Sequence, residues 1–222
     1  MFLLVIRIFF ILGQPLHEKV GLADFAPLSL NRLNGESYSD ILRRASLWCS
    51  QQVGVRFTNV QSIEMKLKCG ELDTQRTSYT QHSEKSTKFA KFLRVAYVKS
   101  NMTVNLPPSP PLLLSYRCFP PCQLTAASLL HNGTFESMSQ TVTRIAAWMG
   151  LTNAAILNIE TCAVPIGLGH DATYSYKRAG EANISRVLCI RVYLDGVYEE
   201  PHSSQLPPIP RVIPSDDTCT VS

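Results

Sequence analysis

Ile41, Leu42, Ala45, Trp48 and Cys49 recur at the three- and four-residue spacing of one helix face, and about one hundred residues later Val142, Ile145, Ala146, Trp148 and Met149 repeat the pattern. Each run follows a similar lead-in, Glu36-Ser37-Tyr38-Ser39 and Glu136-Ser137-Met138-Ser139, so Ser37 or Ser39 and Ser137 are the expected N-caps. After the first helix the period falls to two. Residues 53–68 read as a long strand, 70–73 as a turn, and 77–82 and 89–99 as two further strands. The second stretch predicts the same order of helix, strand, loop, strand, strand.

The parallel extends beyond the helices. Phe57-Thr58-Asn59-Val60 matches Ile156-Leu157-Asn158-Ile159, Leu93-Arg94-Val95 matches Ile190-Arg191-Val192, and Leu106-Pro107-Pro108 matches Leu206-Pro207-Pro208. Self-similarity at one offset marks an internal duplication. It divides the chain into repeat 1 at 25–118 and repeat 2 at 119–222, the latter with a proline-rich C-terminal tail, after an apolar N-terminal segment at 1–24. The predicted fold is α+β: two tandem repeats, each one helix packed on an antiparallel sheet of about three to four strands. Trp48 and Trp148 fall on the apolar stripe and are expected in the core. Asn59 and Asn158, polar within apolar strands, predict either a β-bulge, the favoured reading, or a bond to the backbone of the neighbouring copy.

Alternation in the last strand of each copy puts Leu93, Val95 and Tyr97, and Ile190, Val192 and Leu194, on a core face, with Arg94 and Arg191 opposite. Composition then sharpens the picture. With 222 residues, 45% apolar and 17% charged, the chain is of the folded type and not of the disordered one. Its net charge of +4 conceals an asymmetry, because residues 25–118 hold 13 Lys and Arg against 6 Asp and Glu, a net +7, whereas 119–222 hold 6 against 9, a net −3. If the long first strand alternates without interruption, Lys66, Lys68, Lys88 and Arg94 gather on one solvent face of repeat 1, a surface suited to an acidic protein partner. The scarcity of aromatic residues there, Phe92 alone, argues against nucleic acid.

Candidate chemistry is sparse. His17, His82, His131, His170 and His202 are scattered, and no two share a helix face at metal spacing. Gly167-Leu168-Gly169-His170-Asp171 precedes a predicted strand instead of the helix a phosphate loop requires, so it reads as a hairpin loop. Cys118 and Cys122 lack the second pair that a zinc site needs. No catalytic, metal or cofactor residue is assigned. Of seven cysteines, Cys49, Cys162 and Cys189 replace Met149, Ile63 and Phe92, the pattern of buried, reduced thiols in a reducing cytosol.

The two ends point in different directions. Residues 1–12 read as an extra strand or tail, or alternatively as a signal peptide cleaved near Gly21-Leu22-Ala23, in which case the sequons at Asn101, Asn132 and Asn183 become glycan acceptors. Cys219-Thr220-Val221-Ser222 has the prenylation pattern, which implies at most weak, reversible membrane association. The expectation is a non-enzymatic, intracellular two-repeat protein-interaction module. A secreted N-glycosylated binding protein and an enzyme without a recognisable motif are the alternatives.

Overall fold

The computed structural model describes residues 2–3, 12–13, 18–30, 36–68, 70–79, 87–100, 111–126, 133–165, 171, 173–177 and 186–214. In chain order the elements are β1 (Phe2–Leu3), β2 (Glu18–Phe25), α1 (Tyr38–Ser50), β3 (Val55–Lys66), β4 (Ser78–Tyr79), β5 (Thr87–Ser100), β6 (Leu114–Phe119), α2 (Met138–Thr152), β7 (Ala155–Pro165), β8 (Tyr174–Lys177), β9 (Arg186–Asp195) and a 3₁₀ turn (Ser203–Gln205). Sheet 1 has the order β2-β5-β3 and sheet 2 the order β6-β9-β7, all pairs antiparallel. The fold is therefore α+β, with two tandem units of one helix and one three-stranded sheet.

The helix ends follow local chemistry. Ser37 and Ser137 are the N-caps, their hydroxyls accepting from Asp40 N and Gln140 N, and Gln140 closes a capping box at α2. Beside each cap sits a duplicated ionic clasp. Arg44 donates to Glu36 and to the Ala26 carbonyl, and Arg144 donates to Glu136 and to the Pro120 carbonyl. Each clasp ties the helix to the end of the strand before it. The rings repeat too: Phe25 meets Trp48 and Phe119 meets Trp148 edge-on, both at 5.7 Å between centroids.

Three features depart from the sequence expectation. First, the strand before each helix belongs to that helix's sheet, so the boundaries drawn at 25 and 119 cut through β2 and β6. Second, neither short strand joins its own sheet. β4 pairs with β1, while β8 pairs with residues 87–90 of β5 in the other unit. The reason is length: β5 has 14 residues, and the 8 of β2 cover only its second half, leaving a free edge for β8 in line with β2. Third, parity along β3 is not continuous, because the bulge expected at Asn59 is present. The register of β3 shifts between Phe57 and Asn59, and that of β7 shifts between Ile156 and Asn158. A single inserted residue sends everything beyond it to the opposite face. Val60 and Ser62 consequently share the helix side with Leu93 and Val95, while Ile63 and Met65 lie behind.

Packing of the units gives the layer order sheet 1, α1, sheet 2, α2. Sheet 1 meets α1 through Val60, Leu93 and Val95. The opposite side of α1 meets the second unit, for Tyr38 contacts Tyr116 edge-on and its hydroxyl lies 2.6 Å from that of Tyr193, and Leu112 and Leu114 complete the same core. Sheet 2 then receives α2 on its other face, where Phe119, Ile190, Val192 and Leu194 pack with Ile145 and Trp148. Close packing at Gly21, where the Tyr97 ring occupies the space a Cβ would need, explains a glycine inside β2. No described helix is long and apolar enough to cross a membrane.

Trp148 is fully buried, whereas Trp48 is half-buried. Trp148→Ala is expected to cost about 3–5 kcal/mol in urea unfolding. Trp48→Ala is expected to cost less, and equal costs would contradict the burial difference.

Candidate functional site

The face of sheet 2 turned away from α2 carries the side chains of alternate residues, Cys189, Arg191 and Tyr193 on β9. Their cross-strand partners are Cys162, Glu160 and Asn158 on β7, with Cys118 and Tyr116 on β6 opposite Arg191 and Tyr193. Sequence parity places Arg191 on this face and predicts solvent beyond it. Instead α1 covers the face, and Arg191 is 0% exposed. A signal for this existed in β9 itself, where Val187 to Leu194 is apolar at both parities except for Arg191, the mark of a strand buried on both faces.

A buried guanidinium requires compensation, and here it comes from both units. Arg191 Nη1 donates to Glu160 Oε1 at 2.8 Å and Nε donates to Cys118 Sγ at 3.3 Å, while the guanidinium carbon sits 4.0 Å over the Tyr38 ring. Glu160 also accepts from the Tyr193 hydroxyl at 2.9 Å and, across the unit boundary, from Ser62 N and Ser62 Oγ, both at 2.7 Å. The charge pair is thus saturated with donors. Burial pushes the Tyr38 and Tyr193 phenols well above their ordinary value, so both remain neutral donors.

Three thiols stand beside this pair. Cys189 is within hydrogen-bonding reach of both Cys118 and Cys162, and all three are unpaired. The Cys189 thiol, the Arg191 guanidinium and the Lys91 ammonium favour a thiolate at Cys162, against burial and Glu160, and hold it at about 7. Cys118 is lowered by the same thiol and the same guanidinium, and Cys189, the shared donor, is raised. Cys162 is half-buried, where the sequence expected full burial; Cys49 and Cys189 are buried as expected. Chemically the cluster offers a nucleophilic thiolate with a neighbouring thiol.

A second set of bonds clasps the units. Asp171 accepts at Oδ1 from Ser39 N at 2.9 Å, Ser39 Oγ at 2.8 Å and Tyr116 OH at 2.7 Å, and its carbonyl accepts from Tyr38 N at 3.0 Å. Asp171 of the second unit therefore occupies the positive end of α1 and satisfies two of its free N–H groups, Ser39 N through its carboxylate and Tyr38 N through its backbone carbonyl. Asn158 Nδ2 donates to the Val60 carbonyl at 2.7 Å, so this residue marks the bulge and also binds the neighbouring copy. Its counterpart differs: Asn59 Oδ1 is buried without a hydrogen-bond partner among the described residues.

The four cations expected to form one basic face are not brought together. Lys66 pairs with Phe89 on the helix side of sheet 1, whereas Lys88 and Arg94 lie on the reverse side, because the bulge inverts the parity of β3. Lys68 lies past β3, bridged through its backbone to Glu71. Arg94 is held by Asp24 at 2.6 and 2.7 Å and by the Thr74 carbonyl at 3.0 Å. Cys219, His170 and the sequons at Asn101, Asn132 and Asn183 lie outside the described residues. Among the described residues no three His, Cys, Asp or Glu side chains converge to hold a metal ion.

The remaining feature is an apolar groove of about 500 Å³ between α2 and β7, lined by Val142, Ile145, Ala146, Met149, Ile159 and Ile190. It is open to solvent. Comparisons of the chain with protein-family models, curated proteins and solved structures found no match.

Two measurements test the polar centre. Glu160→Ala leaves Arg191 buried without its carboxylate and is expected to cost about 3–5 kcal/mol in urea unfolding, with Glu160→Gln costing less because the amide still accepts. Alkylation of Cys162 by iodoacetamide, followed by peptide mass analysis, is expected to rise with pH around a midpoint of about 7, since the thiolate is favoured there. Cys49, which burial pushes up to about 12, is expected to react only after denaturation.

Proposed function

We propose that the chain is a non-enzymatic, two-repeat protein-interaction module whose contact surface is the open face of α2 together with the groove beside β7. One observation carries this reading: equivalent positions of the two units are covered in one and bare in the other. Leu42 is 6% exposed and Val142 50%; Val60 is 1% exposed and Ile159 49%. In the first unit the covering layer is a sheet with apolar and aromatic side chains. A contiguous apolar surface left open to water marks an interaction site. The contact therefore belongs to the apolar end of the stack and not to the dispersed cations of repeat 1. A reducing compartment is supported by Cys49, which fills in the core of unit 1 the place Met149 takes in unit 2.

The test is a photo-crosslinking residue placed at Val142 of the full chain in the cells that produce it, with Leu47, an exposed apolar residue on the solvent side of α1, as the control position. A discrete protein adduct at 142 and none at 47 is the expected outcome. Equal or absent adducts at both would remove the reading.

A further inference from the structure

We propose that Cys162 and Cys189 form a modification site for hydroperoxides, in which Cys162 is oxidised first and Cys189 resolves it into a disulfide across strands β7 and β9.

Register carries the pairing. Cys162 and Cys189 are direct partners in the antiparallel β7–β9 ladder, on the face of sheet 2 turned away from α2. Directly opposed Cα atoms stand about 4.5 or 5.5 Å apart, inside the roughly 4.4–6.8 Å that a disulfide spans. The sulfurs lie on the same side. Cys162 Sγ is 3.6 Å from the Cys189 carbonyl oxygen, and the two thiols are within hydrogen-bonding reach. Cys118 is placed differently. Its direct partner is Arg191, so it meets Cys189 only on the diagonal, where Cα atoms are about 7–8 Å apart and a bridge would require a strand to move. Among the described residues no other two cysteines are opposed across a ladder.

Exposure and charge set the order of events. Cys189 is 0% exposed, whereas Cys162 is half-buried, so a small oxidant meets Cys162 first. Arg191 and Lys91 favour its thiolate, the form that reacts with a peroxide. Cys118 is also half-buried, but its sulfur already accepts from Arg191 Nε at 3.3 Å, which draws on the lone pair an attack would use. In the first step Cys162 sulfur gives two electrons to hydrogen peroxide: an S–O bond forms, the O–O bond breaks, and the departing hydroxide becomes water with the proton the thiol released. Cys189 is still protonated at that point, because the bonds it makes to Cys118 and Cys162, together with burial, raise it. Its sulfur then attacks the sulfenic sulfur of Cys162. The S–S bond forms, the S–O bond breaks, and hydroxide leaves as water with the Cys189 proton. Two thiols and one hydrogen peroxide thus give one disulfide and two waters.

The experiment treats the reduced full chain with hydrogen peroxide, blocks remaining thiols with iodoacetamide and maps the peptides by mass. A linked peptide joining Cys162 to Cys189 is expected, formed faster as pH rises through about 7 and lost on treatment with dithiothreitol. Cys122 is the internal control: it is half-buried as well, but burial raises its thiol, so its oxidation is expected to be slower by about tenfold or more. Cys118→Ala is expected to keep the bond. In Cys189→Ala, Cys162 is expected to stop at the sulfenic acid and to be labelled by dimedone, which the wild type resists. The wild-type map decides the matter even if Cys189→Ala fails to fold. A bond from Cys118 to either thiol, a wild-type Cys162 that accumulates the dimedone adduct without a bond, or a Cys162 oxidised no faster than Cys122 overturns the proposal.

Discussion

Helix α1 carries more apolar surface than one three-stranded sheet can cover. Trp48 packs on Phe25, Phe57 and Tyr97 of sheet 1, whereas Tyr38, about 80° further round the helix, meets Tyr116 and Tyr193 and needs a second layer. Burying both sides requires the second unit to lie directly on the first. Sheet 2 is consequently the central wall of the molecule, with a helix on each face and a middle strand that is apolar at both parities. The layer order and the Asp171 clasp follow from that contact.

Covering α1 with a sheet face that carries Arg191 has a cost, and the structure meets it by sharing the compensation. The carboxylate of Glu160 comes from sheet 2, the amide and hydroxyl of Ser62 from sheet 1, and the aromatic face of Tyr38 from the helix between them. Unit 2 supplies the hydrogen bonds of the guanidinium, and unit 1 completes Glu160 and covers the guanidinium with a ring. A buried pair is weak evidence for stability, since apolar residues of the same shape can serve as well. Its effect here is to fix the position of the two units relative to each other, because a slip of one residue would strand a charge. The thiols of Cys118, Cys162 and Cys189 take their lowered and raised values from this same environment.

The two ends of the stack are where duplication and asymmetry meet. Leu42 faces protein at the junction and its equivalent Val142 faces water on α2, so one sequence pattern has two environments in one chain. The open surface lies on regular elements, the outer face of α2 and the adjoining strand β7.

Periodicity in the sequence was enough for the helices, their serine caps, the core faces of β5 and β9, and the duplication itself, because each depends on residues a few positions apart. Asn59 and Asn158 marked the bulges for the same local reason. Parity beyond the bulge was lost: counting by twos along β3 put Lys66 with Lys88 and Arg94, and one extra residue at the bulge places it on the other side of the sheet. The Glu36–Arg44 and Glu136–Arg144 spacing repeats in the sequence, but a spacing of eight residues does not by itself imply the bond that each pair makes. What lies against the second face of a helix or sheet was not legible, since it depends on side chains more than seventy positions away. The apolar run of β9 marked a strand buried on both faces, but tertiary structure alone decided what covers Arg191, that the Cys162 thiol is lowered, that β8 leaves its own unit, and that the second side of α1 is covered while Val142 on α2 is exposed.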